Sequence, residues 1–119
     1  MDNLKKQIMD KWQRFSDAFD RLGDETYGMT AVAAAVLFEA YVSFRQDGES
    51  GGYQSLQAGV HPYAFHTGAT MVDLLSDFSG CRLFWKFEMD IPRARITEDG
   101  IKYVEDHIAV FETLRAPED

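Results

Sequence analysis

Arg82, Lys86, Arg93 and Arg95 form the compact basic group of a 119-residue chain whose net charge is -8. Residues 82–95 hold four basic and two acidic side chains, whereas 46–81 hold four acids and no Lys or Arg. The run from Arg82 to Asp90 alternates polar and apolar residues, which is the period of a strand. It turns at Asp90-Ile91-Pro92 and returns as a short basic strand, Arg93 to Ile96. Alternation puts Arg82 and Lys86 on one face of the outgoing strand, and Arg93 and Arg95 on one face of the return. If those faces coincide, a basic surface results that can grip a phosphate backbone or an acidic patch on a protein. The competing reading pairs the same side chains with Glu88, Asp90 and the acidic last helix.

The other reactive residue types lead away from catalysis. Asp73 and Asp77 stand one helical turn apart, but nothing near them in sequence suggests a raised pKa or a sugar or phosphate cleft, so they read as a solvated helix face. His61, His66, Asp73 and His107 are the candidate metal ligands. His61-x4-His66 around Pro62 lacks the compact spacing of a closed zinc site, and no metal or cofactor is expected. Cys81 follows Gly80 and opens the alternating strand, where a small buried apolar residue is the ordinary reading rather than a nucleophile. Gly48-x-x-Gly51-Gly52 is followed by no lysine and preceded by no strand, so it is not a phosphate loop. The expectation is a chain that is not an enzyme.

The length suits one domain, 1–119, able to bury a core without disulfides. A single cysteine cannot close an internal disulfide, and a reducing cytoplasm is the simplest compartment. Met29 to Phe44 is the most apolar run, yet it is shorter than a membrane span and contains Glu39, so no membrane partner is expected. The overall negative charge argues against a generic polyanion binder.

Four helices must position these residues. Leu4, Ile8, Trp12, Phe15, Phe19 and Leu22 recur at helical spacing and predict an amphipathic helix over 3–22, stopped by Gly23. Its stripe either packs on the domain's own core or meets another subunit through Trp12, Phe15 and Phe19. Thr30 can cap a second, nearly all-apolar helix running to about Arg45. Residues 46–62 are the least regular, with a flexible glycine turn and either a short helix over 53–58 or no regular structure. Thr67 or Thr70 caps a third helix ended by Gly80. Alternation in the following strand predicts that Leu83, Trp85, Phe87 and Met89 are buried and that Phe84 is left out. Ile101, Val104, Ile108 and Phe111 mark a last helix over 97–115.

The order of helix, short helix, helix, glycine and hairpin, then a helix opening on Ile96-Thr97-Glu98-Asp99-Gly100, resembles winged-helix proteins of the MarR and PadR type over residues 66–106. In those families the phrase leucine-threonine-acidic-x-glycine commonly opens the helix after the wing. The resemblance implies a winged-helix-like core over 30–106, with Thr67–Ser79 as recognition helix and Arg82–Ile96 as wing. It also implies a homodimer through the first and last helices. A recognition helix needs donors for phosphates and base edges. This one has no Lys or Arg and carries Asp73 and Asp77. The fold expected is therefore α+β, mainly α, a winged-helix-like domain with one hairpin and flanking terminal helices. The function expected is regulation through a protein partner on a degenerate winged-helix scaffold. The alternatives are a dimeric DNA-binding regulator and an acidic inhibitor, of the phage-encoded kind, that presents carboxylates where phosphates would sit.

Overall fold

The central helix begins where a hydroxyl can cap it. Thr30 Oγ1 accepts the Ala33 N–H at 3.1 Å, and the helix α2 runs from Ala31 to Asp47. In a computed structural model that describes residues 2–57, 70–88 and 90–115, this helix touches the helices Asp2–Asp20, Met71–Ser76 and Glu98–Asp106 and two strands. Ala33, Ala34 and Ala35 are buried and, lacking bulk, let the neighbouring elements come close.

The helix α1, Asp2–Asp20, lays Phe15 and Phe19 into the core, both fully buried. Phe15 lies 5.8 Å from Phe111 and 6.0 Å from Phe19, ring centre to ring centre. Phe38 and Tyr103 close on Phe111 at 5.6 and 6.1 Å, so one aromatic layer joins the first, second and last helices. The architecture is α+β and mainly helical, with a small antiparallel sheet.

That sheet has three strands, β1 (Tyr53–Ser55), β2 (Trp85–Glu88) and β3 (Arg93–Ile96), in the order β1-β3-β2. The first strand corrects the expectation of a helix or an irregular segment over 53–58. The cause lies in the glycines before it. Gly52, at φ 84°, donates its N–H to Ser43 Oγ at 3.1 Å and accepts from Ile96 N at 2.9 Å, and a Cβ on Gly51 would collide with the Ser43 carbonyl. The turn is therefore packed against α2, and it delivers Tyr53 onto the free side of the return strand.

Four further sequence expectations shift. The third helix, expected over 67–79, is α3, Met71–Ser76, capped by Thr70; Thr67 lies outside the described residues. The outgoing strand is shorter than its alternation, because Cys81–Phe84 forms a single helical turn, α4, before β2 begins. Side chains in that turn advance by about 100° per residue rather than 180°, so the phase resets at Trp85. As a result Phe84 and Trp85 are both buried, Leu83 is 43% exposed and Phe87 is half-buried. The expected set of 83, 85 and 87 with Phe84 excluded is thus corrected, and Met89 lies outside the described residues. The last helix divides at His107 into α5, Glu98–Asp106, and α6, Ile108–Phe111.

The start of α5 is held on three sides. Thr97 Oγ1 accepts from Gly100 N at 3.0 Å and donates to the Leu83 carbonyl at 2.6 Å, while Thr97 N donates to the Phe84 carbonyl at 3.0 Å. A Cβ on Gly100 would stand 2.9 Å from the Phe84 carbonyl oxygen and 2.8 Å from Ile96 Cγ1. The threonine and the glycine of the Thr97-Glu98-Asp99-Gly100 phrase therefore seat α5 against the end of α4.

Candidate binding face

Register decides which basic residues meet. Lys86 pairs with Arg95 and Glu88 with Arg93 across β2 and β3, while Tyr53 and Ser55 pair with Arg95 and Arg93 across β1 and β3. Cross-strand partners share a face. Tyr53, Lys86, Glu88, Arg93 and Arg95 therefore form one face, and Trp85, Ala94 and Ile96, all buried, form the other.

The two arginines on that face are in different states. Arg93 Nε donates to Glu88 Oε2 at 2.6 Å, and its guanidinium lies 4.0 Å over the Tyr53 ring. The hydrogen bond to Glu88 also pushes its pKa up. Among the described residues Arg95 hydrogen-bonds only a backbone oxygen, Glu49 O, at 3.3 Å from Nη2, and its guanidinium carbon lies 5.6 Å from the Tyr53 ring and 6.0 Å from the Phe44 ring. Its Nε is buried without a hydrogen-bond partner among the described residues. Lys86 is exposed, and among the described residues neither Lys86 nor Arg95 makes an ion pair.

Both cations open onto a groove of about 490 Å³. Phe44, Tyr53, Ile96 and Ile101 give it apolar walls, Thr97 adds a hydroxyl, and Glu49 and Glu98 add carboxylates. Phe44, Tyr53 and Glu49 carried no sequence signal for such a role. The nearest hint was the glycine pair 51–52, which the packing of the turn explains.

The remaining candidates separate. Arg82 belongs to the turn of α4, so it does not share the strand alternation that was to place it beside Lys86. Asp73 is occupied as the third residue of a capping box: Thr70 Oγ1 accepts from Asp73 N at 3.2 Å, and Asp73 Oδ2 accepts from Thr70 N at 3.4 Å. The sequence signal for this is Thr-x-x-Asp ahead of an apolar run. Asp77 follows α3 and is exposed. Asp73 and Asp77 line a small pocket of about 110 Å³ with Thr30, Leu74 and Phe78.

His107 Nδ1 is 2.9 Å from the Tyr103 carbonyl, and Nε2 is 3.7 Å from Glu25 Oε2, so its partners are Tyr103 and Glu25 rather than Asp73. His61 and His66 lie outside the described residues, among which no group of three His, Cys, Asp or Glu side chains is gathered to hold a metal. Cys81 is half-buried in α4 and does not open the strand.

Phe15 and Phe19, expected at a subunit interface, have no exposed surface to offer one, and Trp12 is partly buried against the same core. Of the described side chains in the α1 stripe only Ile8 is largely exposed, with Met9 beside it. No helix among the described residues is long and apolar enough to cross a membrane. No protein-family model, no curated protein and no solved structure matches the chain significantly.

Proposed function

We propose that the chain is a non-catalytic regulatory module that binds a protein partner on a degenerate winged-helix scaffold. The order α3, hairpin, α5, with α5 opening on Thr97-Glu98-Asp99-Gly100, supports the scaffold, while the supporting helix expected over 53–58 is replaced at Tyr53–Ser55 by β1. The observation that carries the protein reading is the split between α3 and the cations. Met71–Ser76 has no basic residue, and its Asp73 carboxylate is committed to the helix cap, whereas Lys86 and Arg95 stand on the sheet face. A helix that reads DNA needs the reverse placement.

Fluorescence anisotropy with a labelled DNA duplex at low salt tests this, and no saturable binding is expected. The second reading is a DNA-binding regulator that grips phosphates through its hairpin, and the direct opposition of Lys86 and Arg95 favours it. If it holds, binding appears at low salt, and Lys86→Ala with Arg95→Ala lowers the salt slope by about two units, one per lost phosphate contact.

A further inference from the structure

Lys86 and Arg95 are directly opposed across β2 and β3. Like charges in that position destabilise a sheet pair, and opposite charges stabilise it. The same sheet shows the favourable solution one step away, where Glu88 faces Arg93. An uncompensated pair beside a compensated one is a local conflict of the kind that functional sites retain. An anion lying between Lys86 and Arg95 removes it.

The groove restricts what that anion is attached to. Tyr53 and Phe44 flank the Arg95 guanidinium, and Ile101 continues the apolar wall. Glu49 and Glu98 line the same groove and repel any ligand with charge along its whole length. A nucleic-acid strand, with a phosphate at every step, meets that repulsion. A peptide with one or two carboxylates next to an aromatic or aliphatic side chain does not.

We infer that the groove between the outer sheet face and the α2 and α5 ends takes an acidic, partly apolar segment of a partner protein. A carboxylate sits between Lys86 and Arg95, and the neighbouring apolar side chain lies on Tyr53 and Phe44. This site deepens the protein-binding reading and rests on it.

The test titrates the isotope-labelled full chain with acetylated, amidated Gly-Glu-Phe-Glu-Gly, with Gly-Gln-Phe-Gln-Gly and with a DNA duplex, following backbone amide shifts at low salt. The acidic peptide is expected to shift Tyr53, Lys86, Arg95 and Thr97 saturably. The glutamine peptide should bind about tenfold more weakly, the size of one lost charge-assisted contact. Arg95→Gln should weaken the acidic peptide by a similar factor. Should Arg95→Gln disturb folding, Lys86→Gln at an exposed position carries the same expectation. Equal binding of both peptides, or shifts confined to other surfaces, overturns the groove assignment. Silence from both peptides and the duplex also overturns the groove assignment and leaves the protein-binding reading standing on another surface. Saturable binding of the duplex through these amides overturns both.

Discussion

Single residues show how much one turn of backbone can change. Phe84 and Trp85 are neighbours in sequence and both buried, which continuous alternation forbids and a helical turn followed by a strand allows. Trp85→Ala should cost about 3–5 kcal/mol in urea unfolding, the range for a large core aromatic. Trp85→Phe should cost clearly less. The indole Nε1 is buried without a hydrogen-bond partner among the described residues, so its removal returns part of a penalty of about 1–3 kcal/mol. A loss for phenylalanine equal to that for alanine would show that the indole N–H is satisfied in solution.

Tyr103 supplies the pH dependence at the same scale. Its hydroxyl donates to the Glu25 carbonyl at 2.6 Å, and burial, assisted by the charges of Glu25 and Tyr27, pushes its pKa above the usual 10.0. The folded chain therefore keeps a proton that the unfolded chain releases near pH 10. The resulting stability is whole below that pH and falls as the pH rises through it. Unfolding followed from about pH 8 to about pH 11 should show a declining alkaline limb. Tyr103→Phe should flatten that limb while costing about 0.5–1.5 kcal/mol at neutral pH through the lost hydrogen bond. Tyr41, also raised by partial burial and by Glu105, retains a smaller share of the limb.

Among elements, α1 separates pattern from partner. Its periodicity identified a helix whose apolar stripe needs a cover, and the fold supplies the cover from Phe111 and the last helix. Phe15→Ala should cost about 3–5 kcal/mol. Its unfolding midpoint, like that of the unaltered chain, should not change with protein concentration, because the buried face lies within one molecule. A midpoint that rises with concentration would mean that a second copy shares the face. The caps at Thr30 and Thr70 were readable because a hydroxyl before a helical pattern satisfies open N–H groups locally. The break at His107 was not, since the apolar stripe continues across it.

The whole molecule carries a net charge of -8 on a body about 29 Å across its shorter axes. At roughly 0.01 M salt the screening length is about 30 Å, so every charge feels the others, while at physiological ionic strength it is about 8 Å. Raising salt should therefore stabilise the fold by relieving self-repulsion. A gain of about 1 kcal/mol corresponds to about 4 °C in the thermal midpoint of a chain this size. The ion pairs Arg45–Glu105 and Lys102–Asp106 are exposed and forfeit little on screening. A midpoint that falls with salt would show that attractive surface pairs dominate.

The sequence by itself determined the helices with strong period, their threonine caps, the hairpin and the location of the basic cluster. All of these are local, set by the spacing of apolar residues, by hydroxyls ahead of a helix and by a turn at Asp90-Ile91-Pro92. Only the tertiary structure decided which cations remain uncompensated. Arg82, Lys86, Arg93 and Arg95 look alike in sequence. Strand register gives Arg93 the Glu88 carboxylate and gives Arg95 a lysine, while a helical turn removes Arg82 from the set. Tyr53 and Phe44 joined the site through β1 and the end of α2, at sequence distances of about forty residues or more from Arg95. Pairing over such separations depends on the shape of the whole core, here on glycines 51 and 52 fitting against Ser43 and Ile96, and no local pattern encodes it.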